Sequence, residues 1–205
     1  ITPLLGEPLT EIQADDEGVS LVVADGTHYR AALLVGADGA QSQVRELANI
    51  ATQGHAYDQH AIVATLQTTQ GNGATAWQRF MPTGPLALLP IGQQQCSLVW
   101  STSPPQAQDL LAMAPDRFNQ ALTEASESCC GALQLQGERA VFPLSLQKAM
   151  QYVKPGIALL GDAAHVVHPL AGQGVNLGLL DAAVLIDVLI EARARNEPLG
   201  RYGVL

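Results

Sequence analysis

One stretch constrains this chain more than any other: Gly156–Leu180, GIALLGDAAHVVHPLAGQGVNLGLL. Its apolar run Ile157–Leu160 has the character of a buried parallel strand. The run ends in Gly161-Asp162. A loop containing Pro169 follows, then Gly172-Gln173-Gly174, and then a helical pattern. The strand therefore delivers one carboxylate at its carboxyl end, just ahead of a glycine-rich helix start. In open α/β sheets, nucleotide cofactors bind at that end of the strands.

The chemistry follows from the residue types. Asp162 directly after the strand can accept hydrogen bonds from ligand hydroxyls, such as those of a ribose or ribityl chain. Gly161 permits close backbone approach. Gly172 and Gly174 allow a tight turn, so the free N–H groups of the next helix start can face a ligand. That helix end carries partial positive charge and suits an anion or an electron-rich ring edge. Leu177, Leu180, Val184 and Val188 recur at helical spacing, which predicts a buried face. An ordinary turn explains any one of these glycines, but not the whole ordered string as readily.

The tripeptide Ala-Asp-Gly occurs twice, at 24–26 and 37–39. The first joins alternating segments within Glu11–Arg30 and reads as a hairpin turn. The second closes the apolar run Ala31–Val35 and precedes a short amphipathic piece with Val44, Arg45 and Leu47. Only the second has the strand-to-loop setting of a ligand contact.

From residue 54 to 148 the character changes. Ala61–Thr68, Trp77–Met81, Leu86–Ile91 and Cys96–Ser101 read as strands between Gly, Pro, Asn and Gln turns. Ser103-Pro104-Pro105 reads as a break, Asp116–Ser126 as a helix and Arg139–Phe142 as a strand. The predicted fold class is α/β (α+β). Residues 1–53 and 149–205 form a nucleotide-binding layer that is discontinuous in sequence. Residues 54–148 form an inserted β-rich substrate domain. Trp77 and Phe80 either line a substrate pocket there or pack within the sheet.

The balance of 10 basic against 19 acidic residues, a formal charge of −9, excludes a phosphate-binding nucleic-acid surface. It also excludes a broad electrostatic grip on anionic lipid. Cys96 and the adjacent pair Cys129 and Cys130 form neither a disulfide framework nor a metal pattern, which points to a reducing cytoplasm. His165 and His168 lack a third ligand nearby, so no metal is expected. Ser42 and Ser145 lack the Gly-x-Ser-x-Gly setting of a hydrolase nucleophile.

At these residues the chain resembles the FAD-dependent aromatic hydroxylases, the single-component monooxygenases related to para-hydroxybenzoate hydroxylase. GDAAHVVHPLAGQGVNLGLLDA looks like their second flavin-contact motif. LLVGADGAQSQVR (Leu33–Arg45) resembles their Asp-Gly motif. WQRFMPTGPLALLP (Trp77–Pro90), with SLVWS (Ser97–Ser101) and VFPL (Val141–Leu144), is similar to the substrate-domain strands of the ubiquinone-biosynthesis branch, the polyprenylphenol hydroxylases. The resemblance implies a partial Rossmann-like FAD-binding layer. Asp38, Gly39 and Arg45 would meet the cofactor, with Arg45 at its pyrophosphate. Gly161 and Asp162 would hold the ribityl chain. Pro169 would shape the loop under the reacting ring. The backbone of Gly172, Gln173, Gly174, Val175 and Asn176 would lie at the pyrimidine edge. No side chain is implied as a nucleophile; NAD(P)H would reduce FAD, and O2 would then be used to hydroxylate a polyprenylated phenol.

That family opens with a G-x-G-x-x-G turn, and none is present here. The chain starts with Ile within a later hairpin. It therefore reads as the middle of a longer flavoenzyme. By itself it should bind FAD weakly or not at all. It should also self-associate through strands Ala31–Val35 and Ile157–Leu160. The parent would work in the cytoplasm or at the periphery of the inner membrane, alongside other ubiquinone-biosynthesis proteins. Two alternatives stay open. One is another flavin oxidoreductase of the same fold, an epoxidase or prenyl reductase. The other is a non-catalytic module binding a lipid or a partner protein.

Overall fold

The computed structural model describes residues 2–169 and 173–205. Its contacts divide the chain into two units, Ile1–His55 with Leu146–His168 and Gly172–Leu205, and Ala56–Ser145 with Pro169–Ala171.

In the first unit, alternating apolar residues build an antiparallel meander of β1 (Leu9–Asp15), β2 (Gly18–Val23) and β3 (His28–Ala31). Val19 and Val23 are buried and Ser20 is exposed, the period of a half-buried strand. Asp15 Oδ1 closes the first turn by accepting from the N–H groups of Glu17 and Gly18 at 2.9 and 3.1 Å.

The apolar run Ala31–Val35 is not one strand. Ala31 ends β3, the chain bends at Ala32, and β4 (Leu34–Gly36) starts a second sheet. The Leu34 N–H donates to the Gly156 carbonyl, which draws the chain out of the meander. The short helix α1 (Gln43–Leu47) follows and packs on β4. A Cβ on Gly36 would meet the Leu159 and Val44 side chains at 2.8 and 2.9 Å, so only glycine lets α1 and the sheet close up here.

The second unit takes up most of β5 (Thr52–Thr68), with β6 (Trp77–Met81), β7 (Gly84–Gly92) and β8 (Gln95–Thr102). Helices α2 (Pro104–Ala112) and α3 (Pro115–Ala125) follow, and then β9 (Leu133–Ala149). The strands lie in the order β9-β5-β8-β7-β6. Ile62, Leu66, Leu86, Leu88, Leu98 and Trp100 share one sheet face and pack with Phe118 and Leu122 of α3. Arg139 of β9 fastens the two helices. Its guanidinium donates to the Leu110 and Met113 carbonyls at 2.8 and 2.7 Å and lies 4.5 Å from the Phe118 ring centre.

The expected break at Ser103-Pro104-Pro105 is instead a helix start. Ser103 is the N-cap residue of α2, and the prolines occupy the first turn, where a missing N–H costs nothing. The expected short strand Arg139–Phe142 is part of the 17-residue β9.

The chain then returns to the first unit through β10 (Val153–Lys154), β11 (Ile157–Leu159), the 3₁₀ turn Gly161–Ala163, β12 (His165–Val166) and α4 (Gln173–Ala194). β11 lies between β10 and β4, parallel to β4. All three of its residues are buried, which accounts for its unbroken apolar sequence.

The expected buried stripe on α4 is not formed. Leu180 and Val184 are exposed, as are Val175, Leu179, Ile186 and Ile190, and among the described residues of the helix only Ala192 is buried. Apolar side chains surround this helix, so periodicity does not single out one covered face.

Candidate functional site

The parallel pair β4–β11 brings both glycine-containing motifs to its carboxyl end. After β11, Gly161 turns with φ +55°, a left-handed conformation that favours glycine. The following 3₁₀ turn leaves Asp162 exposed while Ala163 and Ala164 are buried. Helix α4 rests on this turn through a second glycine: a Cβ on Gly178 would lie 3.2 Å from the Gly161 Cα. Two turns into α4, Asp181 reaches back. Its Oδ2 accepts from the Gly161 N–H at 2.9 Å and lies 2.7 Å from His165 Nε2.

The Asp-Gly loop after β4 is tied to the same turn. Asp38 accepts from the Val44 N–H at 3.0 Å, and Ser42 caps α1 by accepting from the Arg45 N–H at 3.0 Å. Burial acts to raise the Asp38 carboxyl. It is outweighed by hydrogen bonds from the Ser42 hydroxyl and from the N–H groups of Val44, Asp38 and Gln43, which hold the carboxyl below its ordinary value. Gly39, at φ +82°, turns the chain, and a Cβ there would touch nothing.

Arg45 stands between the two loops. It is 8% exposed, and its guanidinium donates to the Ala163 and Ala40 carbonyls at 2.8 and 2.7 Å. Through these two bonds it joins the two loops to each other. A buried guanidinium needs acceptors, and the carbonyls of Ala40 in the Asp-Gly loop and of Ala163 in the 3₁₀ turn supply them.

Gln173, Gly174, Val175 and Asn176 form the first turn of α4. Gln173, Val175 and Asn176 are exposed. The first N–H groups of any helix lack intrahelical partners, so this turn offers donors. Gly172 lies outside the described residues. Pro169 is half-buried and groups with the second unit.

Trp77 and Phe80 do not share a pocket wall. They lie at odd and even positions of β6, opposite Leu88 and Pro85 of β7, and so face opposite sides of the sheet. Trp77 lines a cavity of about 240 Å³ with Arg79, Leu86, Leu88 and Cys129. Phe80 stands 73% exposed on the other face, as does Phe142 at 53%.

His165 pairs with Asp181, and burial pushes His168 below the ordinary imidazole value. Among the described residues no group of three or more His, Cys, Asp or Glu side chains is arranged to hold a metal ion. Cys96, Cys129 and Cys130 are free, and burial, with the neighbouring Cys129 thiol, raises Cys130 to about 12. Asp181 escaped the sequence reading. A signal was present: Gly178 and Asp181 stand three apart and share a helix face.

Comparisons with known proteins show which family the chain is similar to. Residues 5–202 match the family model of the FAD binding domain. The chain is 41% identical over 197 residues to 3-demethoxyubiquinol 3-hydroxylase of Escherichia coli strain K12, covering 96% of this chain and 50% of that protein. It is 40% identical over 218 residues to the mitochondrial ubiquinone biosynthesis monooxygenase COQ6 of Rattus norvegicus, covering 89% and 45%. Among solved structures, PqsL of Pseudomonas aeruginosa, described as a probable FAD-dependent monooxygenase, superposes with a TM-score of 0.78 at 27% identity, over 94% of this chain and 56% of that one. The chain spans about half the length of the curated relatives it matches.

Proposed function

The chain belongs to the FAD binding domain family, and from that premise we propose that it serves a flavin-dependent monooxygenase that hydroxylates the ring of a polyprenylated phenol in ubiquinone biosynthesis. FAD, NAD(P)H and O2 are the cofactor and co-substrates of that reading. The observation that carries it is the exposed Asp162 carboxylate on a turn against which α4 closes glycine to glycine. This donor and acceptor set fits a flavin. Asp162 would accept from the ribityl hydroxyls. The N–H groups of Gln173–Asn176 would meet the pyrimidine edge and favour negative charge there.

The bound flavin supplies reduction by NAD(P)H and activation of O2. The protein's part is to orient and to exclude water. Asp38 and Gly39 shape the neighbouring loop, and Arg45 fixes that loop to the Gly161–Ala163 turn. In the second unit, the open sheet face bearing Phe80 and Phe142 offers apolar support for a ring substrate.

The long apolar tail of such a substrate favours contact with a membrane surface, at the periphery of the inner membrane, or with other ubiquinone-biosynthesis proteins. No helix among the described residues is long and apolar enough to cross a membrane. The exposed apolar side chains of α4 favour self-association of this chain.

The test is an FAD titration of the isotopically labelled chain followed by amide NMR. Weak binding, saturating only in large excess of FAD, is expected, with shifts confined to Gly161–Ala164 and Gln173–Asn176 and lost in Asp162→Ala. No shifts, or shifts elsewhere, overturn the assignment of the flavin to these residues.

A further inference from the structure

Asp181 sits two turns inside α4, away from the helix start that the flavin reading uses. Its Oδ2 nevertheless accepts from the first N–H of the cofactor turn, that of Gly161, at 2.9 Å. The same oxygen meets His165 Nε2 at 2.7 Å. His165 belongs to β12, paired with Lys148 of β9, so the carboxylate links three segments: the turn after β11, a sheet strand and α4. The His165 side chain is 13% exposed and that of Asp181 27%. The Tyr152 ring packs on His165 at 5.7 Å, and Lys148 Nζ lies 5.7 Å from the centre of the Tyr152 ring. Burial, and then the charge of Asp181, raise the Tyr152 hydroxyl. The Asp181 carboxylate therefore has the His165 imidazole against it and the Tyr152 phenol nearby.

Gly161 needs such a partner. Its left-handed turn takes its N–H out of the β11 ladder, and an unpaired backbone donor beside a buried strand is costly. The Gly161–Gly178 approach keeps the turn and helix close but does not set how one rotates on the other. A hydrogen bond from the turn to a side chain on that helix does set it.

We propose that Asp181 is a positioning residue: held by His165, it locks the Gly161–Asp162 turn to α4, so that the Asp162 carboxylate and the N–H groups of the first turn of α4 present one fixed geometry to the cofactor. The step from this clamp to cofactor geometry rests on the flavin reading of Asp162. The clamp itself does not.

The experiment measures amide hydrogen exchange of the full 205-residue chain together with the FAD titration. In Asp181→Ala, Gly161 should exchange at least about tenfold faster while Ile157–Leu159 stay protected. Asp181→Asn keeps a side-chain oxygen for the Gly161 N–H and should restore much of that protection. His165→Gln keeps a side-chain N–H donor for the Asp181 carboxylate and should therefore leave Gly161 protected. The FAD dissociation constant should rise about tenfold in Asp181→Ala, equivalent to about 1.4 kcal/mol, and less in Asp181→Asn. Unchanged Gly161 protection in Asp181→Ala overturns the proposal. So does protection lost equally over Ile157–Leu159, or no recovery in Asp181→Asn, since each marks a purely structural role. If the unaltered chain gives no FAD shifts, the flavin reading fails, and the exchange data still decide the clamp.

Discussion

Arg45 donates to the Ala163 carbonyl at 2.8 Å across 118 residues of chain, joining the Asp-Gly loop to the Gly-Asp turn. A second bond, to Ala40 at 2.7 Å, holds the guanidinium in the loop it starts from. The two motifs therefore behave as one structural object.

Replacing Arg45 tests that object. Arg45→Ala leaves two carbonyls without their charged donor and should cost about 2–3 kcal/mol. Arg45→Lys supplies one compact ammonium in place of the planar fork and should recover only part of the loss. Urea unfolding of both variants decides it; equal stability of Arg45→Ala and the parent chain would remove the linking role.

Asp38 should shape the acid limb of stability. Its folded carboxyl lies below the ordinary value, so the unfolded chain takes up the proton first. The stabilisation is complete above about pH 4 and is lost as pH falls through the folded value. Asp38→Asn should lower stability at neutral pH and flatten the pH dependence below about pH 4. Denaturant midpoints between about pH 2 and 6 measure both, and an unaltered acid limb would contradict the role of the Asp38 carboxylate as acceptor for the Val44 N–H.

The two faces of the second unit should respond differently to truncation. Leu88 is fully buried against α3, and Leu88→Ala should cost about 2–5 kcal/mol. Phe80 is 73% exposed on the opposite face, and Phe80→Ala should change stability by under about 1 kcal/mol. A large loss of stability in Phe80→Ala would mean that this face is covered.

Helix α4 should govern self-association. Val175, Leu179, Ile186 and Ile190 fall at helical spacing on one stripe, and all are exposed. Sedimentation of the unaltered chain should show a dimer or larger species, and Leu179→Glu with Ile186→Glu should shift it to monomer. A clean monomer of the unaltered chain at high concentration would refute this. The strands Ala31–Val35 and Ile157–Leu160, which the sequence marks as apolar, are weaker candidates. Ile157–Leu159 are buried between β10 and β4.

Residue order alone was enough for several features. The β11 strand is an unbroken apolar run, and glycine followed by aspartate at its end can only be a turn bearing a carboxylate. Alternation marked β2, because a half-buried strand writes period two into its sequence, and the Gly, Pro, Asn and Gln turns bounded β6, β7 and β8. These are local signals, and they survive folding because each depends on neighbours within a few residues.

Other features depend on partners far away in the chain, and only the tertiary structure decided them. Ala31–Val35 is divided between two sheets because Leu34 bonds to Gly156, a partner invisible to local pattern. Arg45 joins the two loops because Ala163 and Ala40 offer carbonyls at its reach. Asp181 became part of the site because α4 closes on Gly161 through Gly178. An apolar helix such as α4 carries no mark of which face is covered, since apolar side chains surround it. Which backbone donors need a side chain, and which buried cations find a carbonyl, is settled by distance in space, and that is where sequence spacing stops being informative.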